Sequence, residues 1–73
     1  MTQEFIKPDF STGKIEFRYE NDEICIYCNK KGIEELINFC NKLIKNPQEW
    51  HIHLEDFGVL TQDSLKGVIA KFN

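Results

Sequence analysis

Two runs of alternating apolar and polar residues, separated by Asn21-Asp22, constrain the fold of this chain more than any other feature. The runs cover residues 14–20 and 23–28. Alternation with a period of two is typical of a half-buried strand, and Asn and Asp tolerate the positive φ of a two-residue hairpin turn. A turn at this dipeptide puts six apolar side chains of the two runs on one face, in the pairs Tyr19–Ile24, Phe17–Ile26 and Ile15–Cys28. A slip of one residue would destroy that agreement, so the sequence predicts both the hairpin and its register.

The segment after the hairpin has the periodicity of an amphipathic helix. Asn29 can cap the first turn by accepting a backbone N–H bond, and Asn46-Pro47 ends the helix because a residue before proline avoids the helical region. Apolar residues recur at steps of three and four, which predicts one stripe packed on a sheet. The stripe consists of Ile33, Leu36, Ile37, Cys40, Leu43 and Ile44.

A third strand is predicted at residues 50–55, where apolar and polar side chains alternate again. Its apolar face includes Trp50, which we expect in the core. Its polar face carries two imidazoles and a carboxylate, from His51, His53 and Glu55. A turn at residues 56–58 follows.

The two ends of the chain are less regular. Residues 1–13 are interpreted as an extended lead-in, because Pro8 and Gly13 interrupt any pattern. Residues 65–72 fit either a helix or a strand. Gly67 and the Val68-Ile69 pair favour the strand.

The order of predicted elements is strand, strand, helix, strand, strand. A chain of 73 residues suits one domain of two layers, because so short a chain buries only roughly 60% of its unfolded surface. We therefore predict a single α+β domain over residues 1–73, with the topology β-hairpin–α–β–β. One helix packs on one face of a mostly antiparallel sheet of three to four strands, in the order 2-1-3-4. The other face then carries the polar side chains Glu16, Arg18, Cys25, Tyr27, His51, His53 and Glu55.

Composition narrows the classes of function. The net charge is −3 and no basic stripe exists, which argues against a nucleic-acid partner. No apolar run approaches the ~20 residues that cross a bilayer, and the first residues lack the pattern of a signal peptide. The three cysteines are an odd number, as expected of free thiols. We therefore expect a cytoplasmic protein that binds neither nucleic acid nor membrane.

Enzymatic activity is not expected. So small a domain leaves little room for an enclosed active site. A Cys–His nucleophile would need Cys25 beside His51 or His53 and also an oxyanion hole, for which the sequence gives no sign. The Cys25-x-x-Cys28 spacing resembles a redox motif, but an offset of three in a strand puts the two thiols on opposite faces.

His51 and His53 are the residues best placed to bind a ligand. Residues two apart on a strand point the same way, so this pair can supply two zinc ligands. A third ligand would have to come from Cys25 on the same face, or from Glu55 or Asp56. The simpler interpretation is two partly solvated imidazoles on an open sheet face. We expect no metal and no cofactor, with a site at His51, His53 and Cys25 as the alternative.

Two short motifs resemble a known group of proteins. They are His51-Ile52-His53-Leu54-Glu55-Asp56 and Leu60-Thr61 followed by Ser64. With the order of elements, they are similar to small bacterial α+β immunity proteins of polymorphic toxin systems, over residues 13–72. The resemblance implies a non-catalytic protein that binds and neutralises a cognate toxin, and a strand at residues 66–72. It does not imply which activity the toxin has.

The partner surface expected on this basis is the uncovered sheet face. It comprises Arg18, Tyr27, His51, His53, Glu55 and Asp56. Tyrosine and arginine are enriched in interface hot spots. An acidic domain that binds a basic surface also associates faster, because the charges are complementary. The alternatives are a homodimer formed through this face and a face that meets only solvent.

Overall fold

The computed structural model describes residues 6–72, so residues 1–5 of the predicted lead-in lie outside the described residues. Within this range the α-helix and strands are β1 (Ile15–Glu20), β2 (Glu23–Cys28), α1 (Lys30–Lys45), β3 (His51–His53) and β4 (Val68–Ala70). A 3₁₀ helix at Leu54–Phe57 follows β3 directly. The protein is a small α+β fold in which one helix packs against two antiparallel sheets.

The hairpin and its register are confirmed. β1 and β2 are antiparallel and pair Ile15 with Cys28, Phe17 with Ile26, and Tyr19 with Ile24. Asn21 and Asp22 have φ values of 52° and 65°. These two left-handed residues form the turn predicted from the Asn-Asp dipeptide.

The predicted single sheet with strand order 2-1-3-4 is wrong. The sheet divides in two, with β1 paired to β2 and β3 paired to β4. The cause lies after β3, where the 3₁₀ helix and Gly58, with a φ of 68°, redirect the chain. Residues 59–65, and not β3, therefore run beside the second edge of β1. The strand preferred for residues 65–72 is confirmed at β4.

Backbone hydrogen bonds join residues 59–65 to β1. The N–H groups of Lys14 and Ile15 donate to the Val59 carbonyl at 2.7 and 3.0 Å, and Thr61 N–H donates to Ile15 O at 2.9 Å. Leu65 N–H donates to Phe17 O at 3.0 Å. This segment links the hairpin to the second sheet.

The helix turns a different face to the core than the sequence predicted. Its buried residues are Gly32, Phe39 and Leu43. Within the predicted stripe Leu43 is buried and Leu36 packs against the core, whereas Ile33, Ile37, Cys40 and Ile44 are exposed. Gly32 is one of the buried residues and closely approaches the Lys14 carbonyl group. The expectation that Cys40 belongs to the core is therefore wrong.

The core is centred on the junction between the hairpin, the helix and the second sheet. Its buried side chains are Ile15, Phe39, Leu43, Ile52, Leu54 and Val59. The half of the hairpin next to the turn lies outside it, since Tyr19, Ile24 and Ile26 are 63%, 79% and 54% exposed. The apolar face of the hairpin was predicted to pack under the helix, and for these three side chains that is wrong.

Candidate functional site

The residues predicted to share one sheet face lie on two separate sheets. Arg18 and Tyr27 belong to the hairpin, whereas His51 and His53 belong to β3. Glu55 and Asp56 lie in the 3₁₀ helix after β3. The six residues therefore form two groups and not one continuous face.

The hairpin group is a network of internal contacts around a buried carboxylate. Glu16 is 1% exposed, and it accepts hydrogen bonds from the Thr61 hydroxyl and from Arg18 Nε. The bond to Glu16 raises the pKa of Arg18. Sequence reasoning placed Glu16 on an open face because the alternation of β1 gives no sign that Thr61 covers it.

Arg18 and Tyr27 also contact each other. The Arg18 guanidinium lies 4.8 Å from the centroid of the Tyr27 ring, a cation–π contact. The Tyr27 hydroxyl donates to Glu20 Oε1 at 2.8 Å, and this bond raises the pKa of Tyr27 to about 12. Arg18 Nη1 donates to the Ile6 carbonyl at 2.6 Å. Both side chains thus hold the hairpin together.

The second group contains the two histidines. The rings of His51 and His53 meet edge to face with centroids 5.0 Å apart, and the ring of Trp50 is 3.9 Å from that of His51. Pairing with β4 places both imidazoles on the outer face of the sheet, whereas Ile52 between them is buried. The predicted alternation across His51, Ile52 and His53 is therefore confirmed.

Trp50 does not lie in the core as predicted, because it is 55% exposed. The strand begins only at His51, so the alternation does not extend to the residue before it. Phe57, which sequence reasoning treated only as part of a turn, is 49% exposed. Its ring packs 5.1 Å from that of buried Phe39, which ties it to the core.

Together these side chains line a shallow concavity of about 350 Å³, which we call the Trp50 concavity. The residues that define it are Trp50, His51, His53, Asp56 and Phe57. Lys42 and Glu49 also line it, and the Lys42 ammonium lies 3.8 Å from Glu49 and 5.6 Å from the centroid of the Phe57 ring. The concavity combines aromatic surface, two imidazoles, two carboxylates and the Lys42 ammonium.

Glu55 connects this group to the loop before β4. Its carboxylate lies 3.2 Å from His53 Nδ1 and accepts the N–H of Gly67 at 3.3 Å. The pKa of Glu55 is lowered, first by a bond from its own backbone N–H, then by Gly67 and by His53, while partial burial opposes the shift. An ionised Glu55 fixes one side of the His53 ring.

Cys25, the third member of the alternative metal site, lies on β2, in the other sheet from the histidines. In the described part of the chain, no three His, Cys, Asp or Glu side chains come together as a metal site requires. The three cysteines are free thiols, and burial raises the pKa of Cys28.

Comparisons with protein-family models, curated proteins and solved structures found no match to this chain. Across residues 6–72 the structure holds no helix with the length and apolar character needed to cross a bilayer.

Proposed function

We propose that this chain is a non-catalytic protein-binding module of the immunity type, which binds and neutralises a cognate bacterial toxin through the Trp50 concavity. The observation that carries the proposal is that Trp50 and Phe57, which are 55% and 49% exposed, line the same concavity. Exposed apolar side chains gathered at one place are typical of protein interaction sites. Tryptophan is among the residue types that contribute most to binding energy.

The concavity has the parts of an interface centre with a polar border. Phe57 is held by Phe39 and the Trp50 ring lies against His51, so both aromatic groups are positioned before a partner arrives. Preorganised aromatic side chains lose little conformational entropy on binding. Asp56 adds an acidic group to this lining, and His53 adds a ring whose Nδ1 lies 3.2 Å from the Glu55 carboxylate.

The charge of the chain favours a basic partner surface. The net charge is −3, and the Lys42 ammonium that lines the concavity is already paired with Glu49. Complementary charge mainly raises the association rate and disfavours wrong partners. The partner that fits is a toxin domain with a basic patch and an apolar side chain that contacts Trp50.

A cytoplasmic location is part of the proposal. All three thiols are free, as expected in a reducing compartment. The resemblance of residues 51–56 and 60–64 to immunity proteins supports a toxin as the partner, and the exposed aromatic surface supports the Trp50 concavity as the contact.

The test is co-expression of the full chain with the toxin domain encoded by the neighbouring gene. We expect a stable complex and protection of the host cell. Trp50→Ala should weaken the complex by about 2 kcal/mol or more, the loss typical of an interface hot spot. Ile44→Ala is the matched control, because Ile44 is 74% exposed but lies on the helix and not in the concavity.

Two results would contradict the proposal. One is the absence of both complex and protection when toxin and chain are co-expressed. The other is a complex that Trp50→Ala and Ile44→Ala affect equally, which would place the contact elsewhere on the chain. Isothermal titration calorimetry of the purified variants measures the difference directly.

A further inference from the structure

We infer that this chain forms a two-fold dimer by pairing the outer edge of β2 with the same edge of a second copy. Within residues 6–72, β1 is the only strand paired with β2. The inference uses a different surface from the Trp50 concavity and is independent of the proposed toxin.

The hydrogen bonds of β1 identify which groups point outward from the hairpin. Ile15 and Phe17 form their backbone bonds away from β2, to residues 59–65. In an antiparallel pair, residues opposite such positions also direct their N–H and C=O groups away from the hairpin. Ile26 lies opposite Phe17 and Ile24 opposite Tyr19, so β2 offers the backbone groups of Ile24 and Ile26 at its outer edge.

The sequence of β2 lacks the usual protection of a free edge. Natural edge strands carry lysine, proline or a bulge that discourages pairing. The sequence of β2 is Glu-Ile-Cys-Ile-Tyr-Cys, and its one charged residue, Glu23, is the first of the strand. Ile24 and Ile26 beside this edge are 79% and 54% exposed. A second strand placed there would satisfy the backbone and cover apolar side chains together.

The apolar surface continues from one copy to the other only if the apolar faces of the two β2 strands lie on the same side of the joined sheet. A two-fold axis at Cys25 pairs Ile24 of each copy with Ile26 of the other as hydrogen-bonded partners, and it places the two Cys25 residues opposite each other. Opposing residues in antiparallel strands share a face, so the isoleucines pack together. A shift of one residue would pair each isoleucine with a residue from the opposite face of the other strand.

Charge favours the same antiparallel arrangement. The turn end of the hairpin is acidic, with Asp22 and Glu23, whereas the first residues of α1 after β2 are Lys30 and Lys31. Two-fold pairing brings the acidic turn of each copy beside the basic helix start of the other. Parallel pairing would instead bring the two acidic turns together. Because these charges are self-complementary, a second copy of this chain is the partner that best fits the outer edge of β2.

Sedimentation of the full chain under reducing conditions tests the inference. The paired strands are short, so the interface lies at the small end of specific interfaces and the dimer should dissociate in the micromolar range. We expect a reversible rise to twice the mass of one chain as concentration increases. Ile24→Lys should weaken association by about tenfold or more, because it places a desolvated cation against Ile26 of the second copy. Ile37→Lys is the matched control, since Ile37 is 55% exposed on the helix.

Cross-linking gives a second measurement that does not depend on substitutions at the isoleucines. Opposing residues of a non-hydrogen-bonded pair have Cα atoms about 4.5 Å apart, within the range that a disulfide spans. Diamide oxidises two thiols to one disulfide and takes up two electrons and two protons. We expect a covalent dimer from Cys40→Ala, which retains Cys25, and a large loss of it from Cys25→Ser, which retains exposed Cys40.

A chain that stays monomeric at millimolar concentration would overturn the inference. Equal dissociation constants for the Ile24→Lys and Ile37→Lys dimers would also overturn it. Cross-linking through Cys40 in place of Cys25 would also overturn it. A monomer whose β2 edge pairs with a strand of another protein would give the first of these results. Folding of each variant is checked by circular dichroism.

Discussion

Tyr27 shows how one hydrogen bond changes the chemistry of a side chain in this protein. Its hydroxyl donates to Glu20 on the neighbouring strand, and the bond favours the protonated phenol. The raised pKa is coupled to stability. The contribution of this bond is fully present while the pH is below the ordinary tyrosine value, and it is lost as the pH rises through about 12.

We predict that Tyr27 ionises near pH 12 in the folded chain and that Glu20→Gln moves its pKa down toward the ordinary tyrosine value. The substitution removes the carboxylate charge that opposes ionisation of the phenol. Absorbance of tyrosinate during alkaline titration measures the shift. Glu23→Gln removes a carboxylate from the turn end of the same hairpin and should leave the Tyr27 titration unchanged. Equal titration of all three proteins would contradict the role given to Glu20.

Individual residues were predictable from sequence only where neighbours in the chain fix them. Asn21 and Asp22 were identified because hairpin turns require their left-handed geometry. Glu16 was placed wrongly because its partner, Thr61, is far away in sequence and reaches it only through the folded loop. Trp50 was placed wrongly because a pattern of alternation does not show where a strand begins.

At the level of elements, a close backbone contact determines how α1 packs. Gly32 lies in the first turn of the helix, and a Cβ atom there would overlap the Lys14 carbonyl oxygen and lie 2.9 Å from the carbonyl carbon. The helix can approach the start of β1 only because residue 32 has no side chain. This contact selects Phe39 and Leu43 for the core, while Ile33 and Ile37 face outward.

We predict that Gly32→Ala destabilises the protein by about 1–3 kcal/mol through overpacking, although alanine is normally favoured over glycine in a helix by about 1 kcal/mol. Urea denaturation measures the loss of unfolding free energy, and the dependence of that free energy on urea concentration should be unchanged. Asn38→Ala, at an exposed position of the same helix, is the control and should be neutral or slightly stabilising. A stabilised Gly32→Ala variant would show that the helix does not depend on this contact.

The elements themselves were more predictable than their arrangement. The hairpin, the helix and the C-terminal strand follow from local periodicity and turn chemistry. The helix face was not predictable, because Gly32 carries no apolar signal. The division into two sheets depends on a 3₁₀ turn at residues 54–57, which removes β3 from the edge of β1.

At the scale of the whole molecule, the chain is elongated, with extents of 47 × 26 × 18 Å. Its two sheets are joined through residues 59–65, which bond along β1 next to fully buried Ile15. Resistance to local opening follows buried apolar contacts. Within residues 6–72 we therefore expect the junction to be the most stable part and the hairpin turn to be among the least stable parts.

We predict that amide hydrogen exchange is slowest at Ile15 and Thr61, whose N–H groups bond across this junction. The amides of Ile24 and Ile26 should exchange faster in dilute samples. If the chain dimerises through β2, their protection should increase with protein concentration, while that of Ile15 stays constant. Exchange followed by NMR makes the comparison, and uniform protection along β1 and β2 would contradict it.

Trp50 is the only tryptophan in the chain, and its indole lies half in solvent against the ring of His51. Indole emission responds to the polarity around it. We therefore expect a molecule that binds over the Trp50 ring to change the wavelength or the intensity of the tryptophan fluorescence. The protein carries its own optical reporter at the surface where a partner is expected, and no dye has to be attached.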